Sequence, residues 1–503
     1  MENKSNPSDP YTGKWGALSV VGLGVFMGTL DMSVVNISLP TLVGQLHTKF
    51  ATIQWVVLGY GLVITSTMLG AARLGDMYEK KKLYNLGLVV FTIGSLLCGL
   101  SPNIGWLIAF RVIQGCGAVI TQALGAAIIV EAFPPYERGR VLGLVGSIAS
   151  IGISLGPAIG GLMIGWVGWR WIFLINVPIG VIAFWAAVRF LVARPPRQVN
   201  QSFDGAGALT LLITLCCFAL AMTIGQNQGF KNGFVLTLIA VSVVGMVLFL
   251  TLEKRAKHPM VDLRLFRNTP FSLNLMIGFF SAVPLSGVFL IPFFLQLVLH
   301  YSPQQVGLIM MVTPVAVALI APLSGMLSDR YGTRGISMAG LLILAGGCLA
   351  ISTLNSNVGV LGYLLRVSPL GIGLGLFLSP NNSAIMGAAP PERFGVASGL
   401  LSLTRSLGQT TGMPIMGAIF TSTLLASAKM SVLKDITAAP AEALVSGIAS
   451  AYRVGAVLIF ISLLLAMTAV WADKKRKANQ NQQEESDIGP ETSNLRLKDK
   501  TEG

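Results

Sequence analysis

The chain has 503 residues, 53% of them hydrophobic and 11% charged, with 35 Lys and Arg against 21 Asp and Glu for a formal net charge of +14. A soluble protein is about a quarter charged, so the composition excludes an ordinary soluble domain and indicates an integral membrane protein. A net positive charge can serve nucleic acid, but here the basic residues stand between apolar segments or just beyond the last one (80–82, 138, 140, 254, 255, 330, 334 and 474–477), where they act as topology signals, which excludes that partner.

In chain order, residues 1–15 form a polar tail without the small-residue cleavage site of a signal peptide. The first apolar stretch is therefore expected to stay in place as a span. A span needs about 20 mostly apolar residues to cross a hydrocarbon core about 30 Å thick. That length is met at 16–39, 54–74, 83–101, 105–130, 141–165, 171–192, 206–225, 232–252, 272–299, 305–327, 336–354, 357–380, 397–424 and 452–472. Fourteen spans put both termini on one side, and the loops after even-numbered spans hold the Lys and Arg clusters. The opposite loops 101–104 and 355–356 carry no charge, and the one near residue 300 carries only His300. Basic loops face the cytoplasm, so a multi-pass protein of the plasma or inner membrane with both termini cytoplasmic is expected. Residues 478–503 are polar, contain Gln and Glu, and read as a disordered tail. The five cysteines all lie inside apolar segments and the three histidines are scattered, so neither a disulfide framework nor a metal site is expected. No Walker-type phosphate loop occurs, which disfavours direct use of ATP. No cofactor and no enzymatic chemistry are expected.

The chain repeats itself. "ARLGDMYEKKK" (72–82) follows span 2 and "GMLSDRYGTR" (325–334) follows span 10, with aspartates 329 − 76 = 253 apart. "FRVIQGCG" and "LRVSPLGIG" place Arg111 and Arg366 at 366 − 111 = 255, and "PPYERGRVLGL" and "PPERFGVASGL" place their glutamates at 392 − 137 = 255. Spans 1–6 (16–192) and spans 9–14 (272–472) thus form two copies of one six-helix unit, with two helices (206–252) inserted between them. Duplicated helical halves around a midplane site are the architecture of alternating-access carriers.

These segments carry a resemblance. The second loop copy, with Gly325, Leu327, Asp329, Arg330, Gly332 and Arg334, resembles the cytoplasmic loop signature of the major facilitator superfamily. Arg111, Gln114, Gly115 and Gly117 resemble its span 4 signature, and "GISLGPAIGG" (152–161) resembles its span 5 antiporter signature. "LDMSVVNISLP" and "WRWIFLINVPIG" are similar to segments of the fourteen-span drug:proton antiporters. The resemblance implies an all-α major facilitator fold and export of lipophilic, cationic compounds in exchange for protons. A specific metabolite, siderophore or lipid is the alternative cargo, and a non-transporting receptor the alternative class. Some relatives work with a periplasmic adaptor protein, which the resemblance admits as a further partner. The first loop copy departs from the signature at Ala72, Met77 and Glu79, and span 10 lacks an acidic residue that some relatives carry.

Ionisable groups inside a span cost at least about 2.5 to 3.5 kcal/mol at its centre. Only Asp31, Arg111, Arg366 and Arg405 lie within span cores. Asp31 stands nine residues before Pro40 and Arg111 nine after Pro102, so both fall at about one depth. Either they belong to a polar site in the cavity that exchanges protons with a solute, or they form a fixed ion pair holding two spans together. Arg366 sits at the repeat position of Arg111 and faces solute, a watery cavity or backbone carbonyls. Arg405 suits a structural role or snorkelling to headgroups. Asn36, Gln114, Gln122, Phe293 and Gln296 are candidate cavity residues. Gly152, Gly156 and Gly160 share a helix face that permits close approach, and with Pro157 and Gly161 they form either a seal between the halves or ordinary small-residue packing. Asp76, Lys80 and Lys81, and Asp329, Arg330, Gly332 and Arg334, are candidate gating loops, with a solvated turn as the alternative.

Overall fold

The computed structural model describes residues 13–193, 204–256, 263–389, 394–428 and 436–487. The described residues contain helices and no strand. The N-terminal unit comprises α1 (Lys14–Gln45), α2 (Trp55–Met77, preceded by the single turn Phe50–Ile53), α3 (Lys80–Gly99), α4 (Ile104–Ala132), α5 (Pro135–Trp166) and α6 (Asn176–Phe190, preceded by Trp171–Leu174). Two inserted helices follow, α7 (Gly205–Gln228) and α8 (Gly233–Arg255). The C-terminal unit comprises α9 (Thr269–Leu285, extended by shorter turns to Val298), α10 (Val312–Tyr331, preceded by Pro303–Met310), α11 (Thr333–Ile351), α12 (Val360–Ala388), α13 (Phe394–Ser427) and α14 (Ala441–Asp487). Helix α14 continues to Asp487, into the segment 478–503 expected to be a disordered tail. Residues 1–12 and 488–503 lie outside the described residues.

Thirteen helices among the described residues are long and apolar enough to cross a membrane. The fourteenth expected span is α13, whose 34 residues exceed the needed length but include Arg405, Gln409 and a run of Ser and Thr. It tolerates them because it packs between α9, α14, α7 and α2.

The duplication is visible in the packing. Lipid provides no hydrophobic drive between helices, so close backbone approach at small residues carries helix association. Gly117 lies against the backbone of Gly87 and Phe91 on α3, and Gly373 lies in the same way against Gly340 and Leu344 on α11. Gly115 meets the Tyr60 backbone as Gly371 meets that of Thr313. The α3 and α2 positions recur at 340 − 87 = 253 and 313 − 60 = 253, and the α4 positions at 373 − 117 = 256 and 371 − 115 = 256. His47 and His300, 253 apart, both hold left-handed backbone (φ 46 and φ 55) where the first helix of each unit ends.

That register corrects one expectation. On α4 the arginine stands four residues before Gly115, but Arg366 stands five before Gly371, so the structural counterpart of Arg111 is Val367. One residue is about 100° of rotation on a helix, and Arg366 is turned away accordingly.

The face at which α1 begins and where Lys80–Lys82, Arg330 and Arg334 lie is called the tail face below, and the opposite one the far face. The named contacts between the two units cluster toward the far face. Phe50 packs on Phe289, Phe293 and Phe420 with ring centroids 5.9, 5.1 and 5.1 Å away. Gln296 donates to the Ile37 carbonyl (3.3 Å). Gly161 on α5 and Gly307 before α10 touch backbone to backbone. Helix α7 spans this junction: Gln54, just before α2, donates to Gln226 Oε1 (3.0 Å), which also accepts from Thr421 of α13 (3.3 Å). Helix α8 packs mainly on α7 and exposes Val243, Val244 and Val247, a lipid-facing surface.

Candidate functional site

Asp31 and Arg111 meet inside the N-terminal unit. Arg111 donates from Nη1 to Asp31 Oδ2 at 2.6 Å, and both side chains are 1% exposed or less. Each remaining polar atom needs a partner because an unpaired buried charge is costly, and the neighbouring helices supply them. Asp31 Oδ1 accepts from Gln114 Nε2 and Asn176 Nδ2, both at 2.9 Å. Arg111 donates from Nε to the Val56 carbonyl (2.9 Å) and from Nη1 to Gln114 Oε1 (2.7 Å). The Ser95 hydroxyl accepts from Gln114 and Asn176 (3.1 Å each) and donates to the Phe173 carbonyl (2.9 Å). The guanidinium stacks on the Tyr60 ring, 4.2 Å to its centroid. One cluster thus ties α1, α2, α3, α4 and α6 together.

The cavity lies elsewhere. A space of about 360 Å³ opens between the units, below the far-face contacts. From α1 it is lined by Thr29, Met32, Ser33 and Asn36, which lie across the helix from Asp31. Ser150, Ile153 and Pro157 line it from α5, and the C-terminal unit forms the rest. Its wall runs from Met310 and Ile291, near the far face, to Ile385 and Leu401, toward the tail face. Among the described residues the wall is mostly apolar and contains no carboxylate, and its one charged side chain is Arg405. Asp31, Arg111 and Gln114 therefore sit behind the wall, not in it, and the expected preference for cations has no acid in the cavity to carry it.

The other sequence candidates separate. Asn36 lines the cavity and donates to its own helix at the Met32 carbonyl (3.2 Å). Gln122 sits at the α1–α4 contact beside Gly28. Phe293 is fully buried in the far-face aromatic cluster and Gln296 bridges to Ile37 there, so both belong to the closure of that face. Arg366 donates to the Gly362 carbonyl (2.9 Å) and to Thr353 (3.1 Å), the backbone-bonded alternative, outside the cavity wall.

The glycine motif divides. Gly152, Gly156 and Gly160 take the side chains of Thr29, Ser33, Val34 and Ile37 within the N-terminal unit, whereas Gly161 and the Pro157 carbonyl meet the C-terminal unit at Pro303 and Gly307. Pro157 has no N–H to give the Ile153 carbonyl four residues earlier, and Ser33 of α1 donates to that carbonyl instead (2.9 Å). Pro380 and the Leu376 carbonyl repeat the device, with Ser324 as donor (2.8 Å).

Of the loop residues, Lys80 pairs with Glu131 (2.9 Å) and Lys81 donates to the Val188 carbonyl (2.9 Å). The Asp76 side chain lies outside the described residues. Asp329 and Arg330 are exposed, and the Arg330 guanidinium lies over the Tyr331 ring. Gly332 turns the chain with φ 86, a left-handed conformation suited to glycine; Glu79, its counterpart, is extended at φ −62. Arg334 lines a separate tail-face pocket with Asn268, Asn274 and Ser337. Sequence reading passed over Ser95, Asn176 and the cavity position of Arg405. The signal for Asn176 was present: an amide within an apolar span must find partners.

Comparison with known proteins places this geometry. A sequence profile of the Major Facilitator Superfamily matches residues 21–413 and 271–500. Riboflavin transporter RibZ of Clostridioides difficile is 35% identical over 458 residues, covering 90% of this chain and 97% of that protein. Multidrug resistance protein Stp of Mycobacterium tuberculosis is 34% identical over 82% of this chain and 76% of its own, and multidrug transporter protein MdtP of Bacillus subtilis is 30% identical over 80% and 75%. Among solved structures, a bacterial homologue of the human lysosomal transporter Spinster, inward-facing and unoccupied, superposes with TM-score 0.64 at 15% identity, over 91% of this chain and 97% of that one. An auto-inhibited POT family peptide transporter gives 0.63 at 14%, over 90% and 96%. At those identities the structures speak to the fold alone.

Proposed function

The chain belongs to the Major Facilitator Superfamily, and on that premise we propose that this transport protein is a proton-driven exporter of lipophilic small molecules. The observation that carries the reading is the 360 Å³ apolar cavity between duplicated halves, which lies below a contact layer concentrated at the far face, with a further Thr65–Thr410 hydrogen bond (3.0 Å) at mid-span. With the basic loops cytoplasmic, this is the inward-facing state of an alternating-access cycle. Solute enters from the cytoplasm or inner leaflet, and the halves rock to close the tail face and part at Gly161, Gly307 and Phe50.

Helix α1 couples the proton to that motion. One side of it lines the cavity, the other holds Asp31, and its far end holds Ile37 against Gln296. Asp31 is the carboxylate at mid-span, and here it is locked to Arg111. Protonating it removes the charge that seats Arg111 and frees α1 to shift, so proton and solute bias the same helix from opposite sides. Parting of the far-face contacts then gives the carboxylate access to protons from outside. The adaptor protein admitted by the resemblance has no part in this scheme.

The relatives named for multidrug resistance support a broad range of solutes. RibZ, named a riboflavin transporter and matching over nearly its whole length, supports a second reading in which one planar metabolite is the cargo. Proteoliposomes with an imposed pH gradient decide between transport and none. Efflux of an uncharged lipophilic dye should follow the gradient and collapse with a protonophore, and competition by riboflavin at low concentration would favour the single-metabolite reading. A gradient that moves no tested solute refutes the proposal.

A further inference from the structure

We propose that the cavity is an anion-selective drug site, in which Arg405 receives the acidic group of a flat, lipophilic organic anion. The inference rests on the transport reading above and specifies its cargo.

Arg405 stands eleven residues into α13 and lines the cavity. A guanidinium carries five N–H donors, and among the described residues Arg405 makes one hydrogen bond, from Nη2 to Asn382 Oδ1 at 3.2 Å. The amide is neutral, so the positive charge faces the cavity uncompensated. The other two mid-span arginines show what compensation looks like here: Arg111 has Asp31, a backbone carbonyl, Gln114 and Tyr60, and Arg366 is turned away to Gly362 and Thr353. A charge held in an apolar wall without a counter-ion is costly. The cost is offset when a ligand brings the missing negative charge, and a guanidinium fork matches a carboxylate, sulfonate or phenolate in two-pronged geometry.

A second unmet polar group lies in the same wall. The Tyr452 hydroxyl is fully buried and has no hydrogen-bond partner among the described residues, while its residue lines the cavity. The same wall offers Tyr363, Phe377, Leu370 and Leu374, a surface for a flat ring system. A lipophilic cation gains the same apolar contact but sets its charge against Arg405 with no carboxylate nearby to attract it. The wall therefore selects against cations as well as for anions.

The test uses the full-length protein in nanodiscs and three dyes of similar size: fluorescein (anionic), tetramethylrosamine (cationic, on the same xanthene ring) and an uncharged BODIPY dye. Equilibrium binding is read by fluorescence anisotropy in the wild type, Arg405→Gln and Arg405→Lys. The wild type should bind fluorescein at least about tenfold more tightly than tetramethylrosamine. Arg405→Gln should lose about tenfold or more for fluorescein, change by no more than about twofold for BODIPY, and improve for tetramethylrosamine. Arg405→Lys should keep most of the anion preference, as a point charge without the fork. If the wild type prefers the cation, or if Arg405→Gln binds BODIPY normally and fluorescein unchanged, the anion site is wrong and the transport reading stands. If Arg405→Gln also loses BODIPY, its fold is lost, and the wild-type preference together with Arg405→Lys decides. If no dye binds to the wild type and none moves under a pH gradient, both readings fall.

Discussion

Replacing Asp31 by Asn keeps the shape and removes the charge, which tests both what holds the N-terminal unit together and what couples it to protons. In the folded protein Asp31 accepts three hydrogen bonds, from Arg111, Gln114 and Asn176, at 2.6, 2.9 and 2.9 Å. An Asn there keeps one acceptor oxygen and turns a second amide into a crowd of donors. Arg111 retains the Val56 carbonyl and the Gln114 oxygen, but its charge is left buried without a counter-ion. Breaking one side of a buried pair costs about 3 to 5 kcal/mol. Removing the stranded charge as well, in Asp31→Asn with Arg111→Gln, should return about 0.5 to 3 kcal/mol, the range of coupling between contacting residues. The assay pairs thermal unfolding in nanodiscs with two transport modes, uphill efflux driven by a pH gradient and solute exchange without one. The single variant should unfold earliest, the double variant between it and the wild type. The double variant should keep exchange and lose gradient-driven efflux. Uphill efflux at the wild-type rate in the double variant would refute the proton role, and an unchanged unfolding temperature in the single variant would refute the burial argument.

Gly307→Val places a side chain where the Pro157 carbonyl and the Gly161 backbone already stand, so the far face should fail to close. A cysteine at Thr313 in a cysteine-free background should then react faster with an impermeant thiol reagent added outside. Phe50→Ala empties the aromatic cluster of Phe289, Phe293 and Phe420; a Phe-to-Ala loss in a packed core is about 3 to 5 kcal/mol, and the same labelling should rise while the N-terminal ion-pair cluster is untouched. Ser33→Ala leaves the Ile153 carbonyl without its donor at the cavity wall and should cost about 0.5 to 1.5 kcal/mol of thermal stability. Pro157→Ala supplies that carbonyl with a backbone N–H, so adding Ser33→Ala to it should cost little; equal losses in both backgrounds would contradict the assigned bond. Arg366→Gln removes bonds to Thr353 and Gly362 alone, so transport should stay within about twofold of wild type, with a stability change near 1 kcal/mol.

The sequence by itself determined what depends on composition along the axis of each helix. Apolar run length sets where a chain can cross a bilayer, basic residues set the expected orientation, and near-constant offsets exposed the duplication. Two residues counted from neighbouring prolines placed Asp31 and Arg111 at one depth, and the structure joins them. Azimuth was not legible, because in a protein covered by lipid the outside of a helix is as apolar as its packed side and the hydrophobic pattern loses its phase. Hence Arg366 was equated with Arg111 although one inserted residue before Gly371 rotates it away. Asp31 was expected in the cavity although its neighbours on α1 line the wall and it faces Arg111 behind them. Arg405 looked structural because nothing along α13 reveals that Tyr452, Phe377 and Asn381, brought by other helices, surround one space. The tertiary structure decided these points because a buried charge is placed by partners distant in sequence: Asp31, Val56 and Tyr60 complete one arginine, and the lack of such partners leaves another facing the cavity.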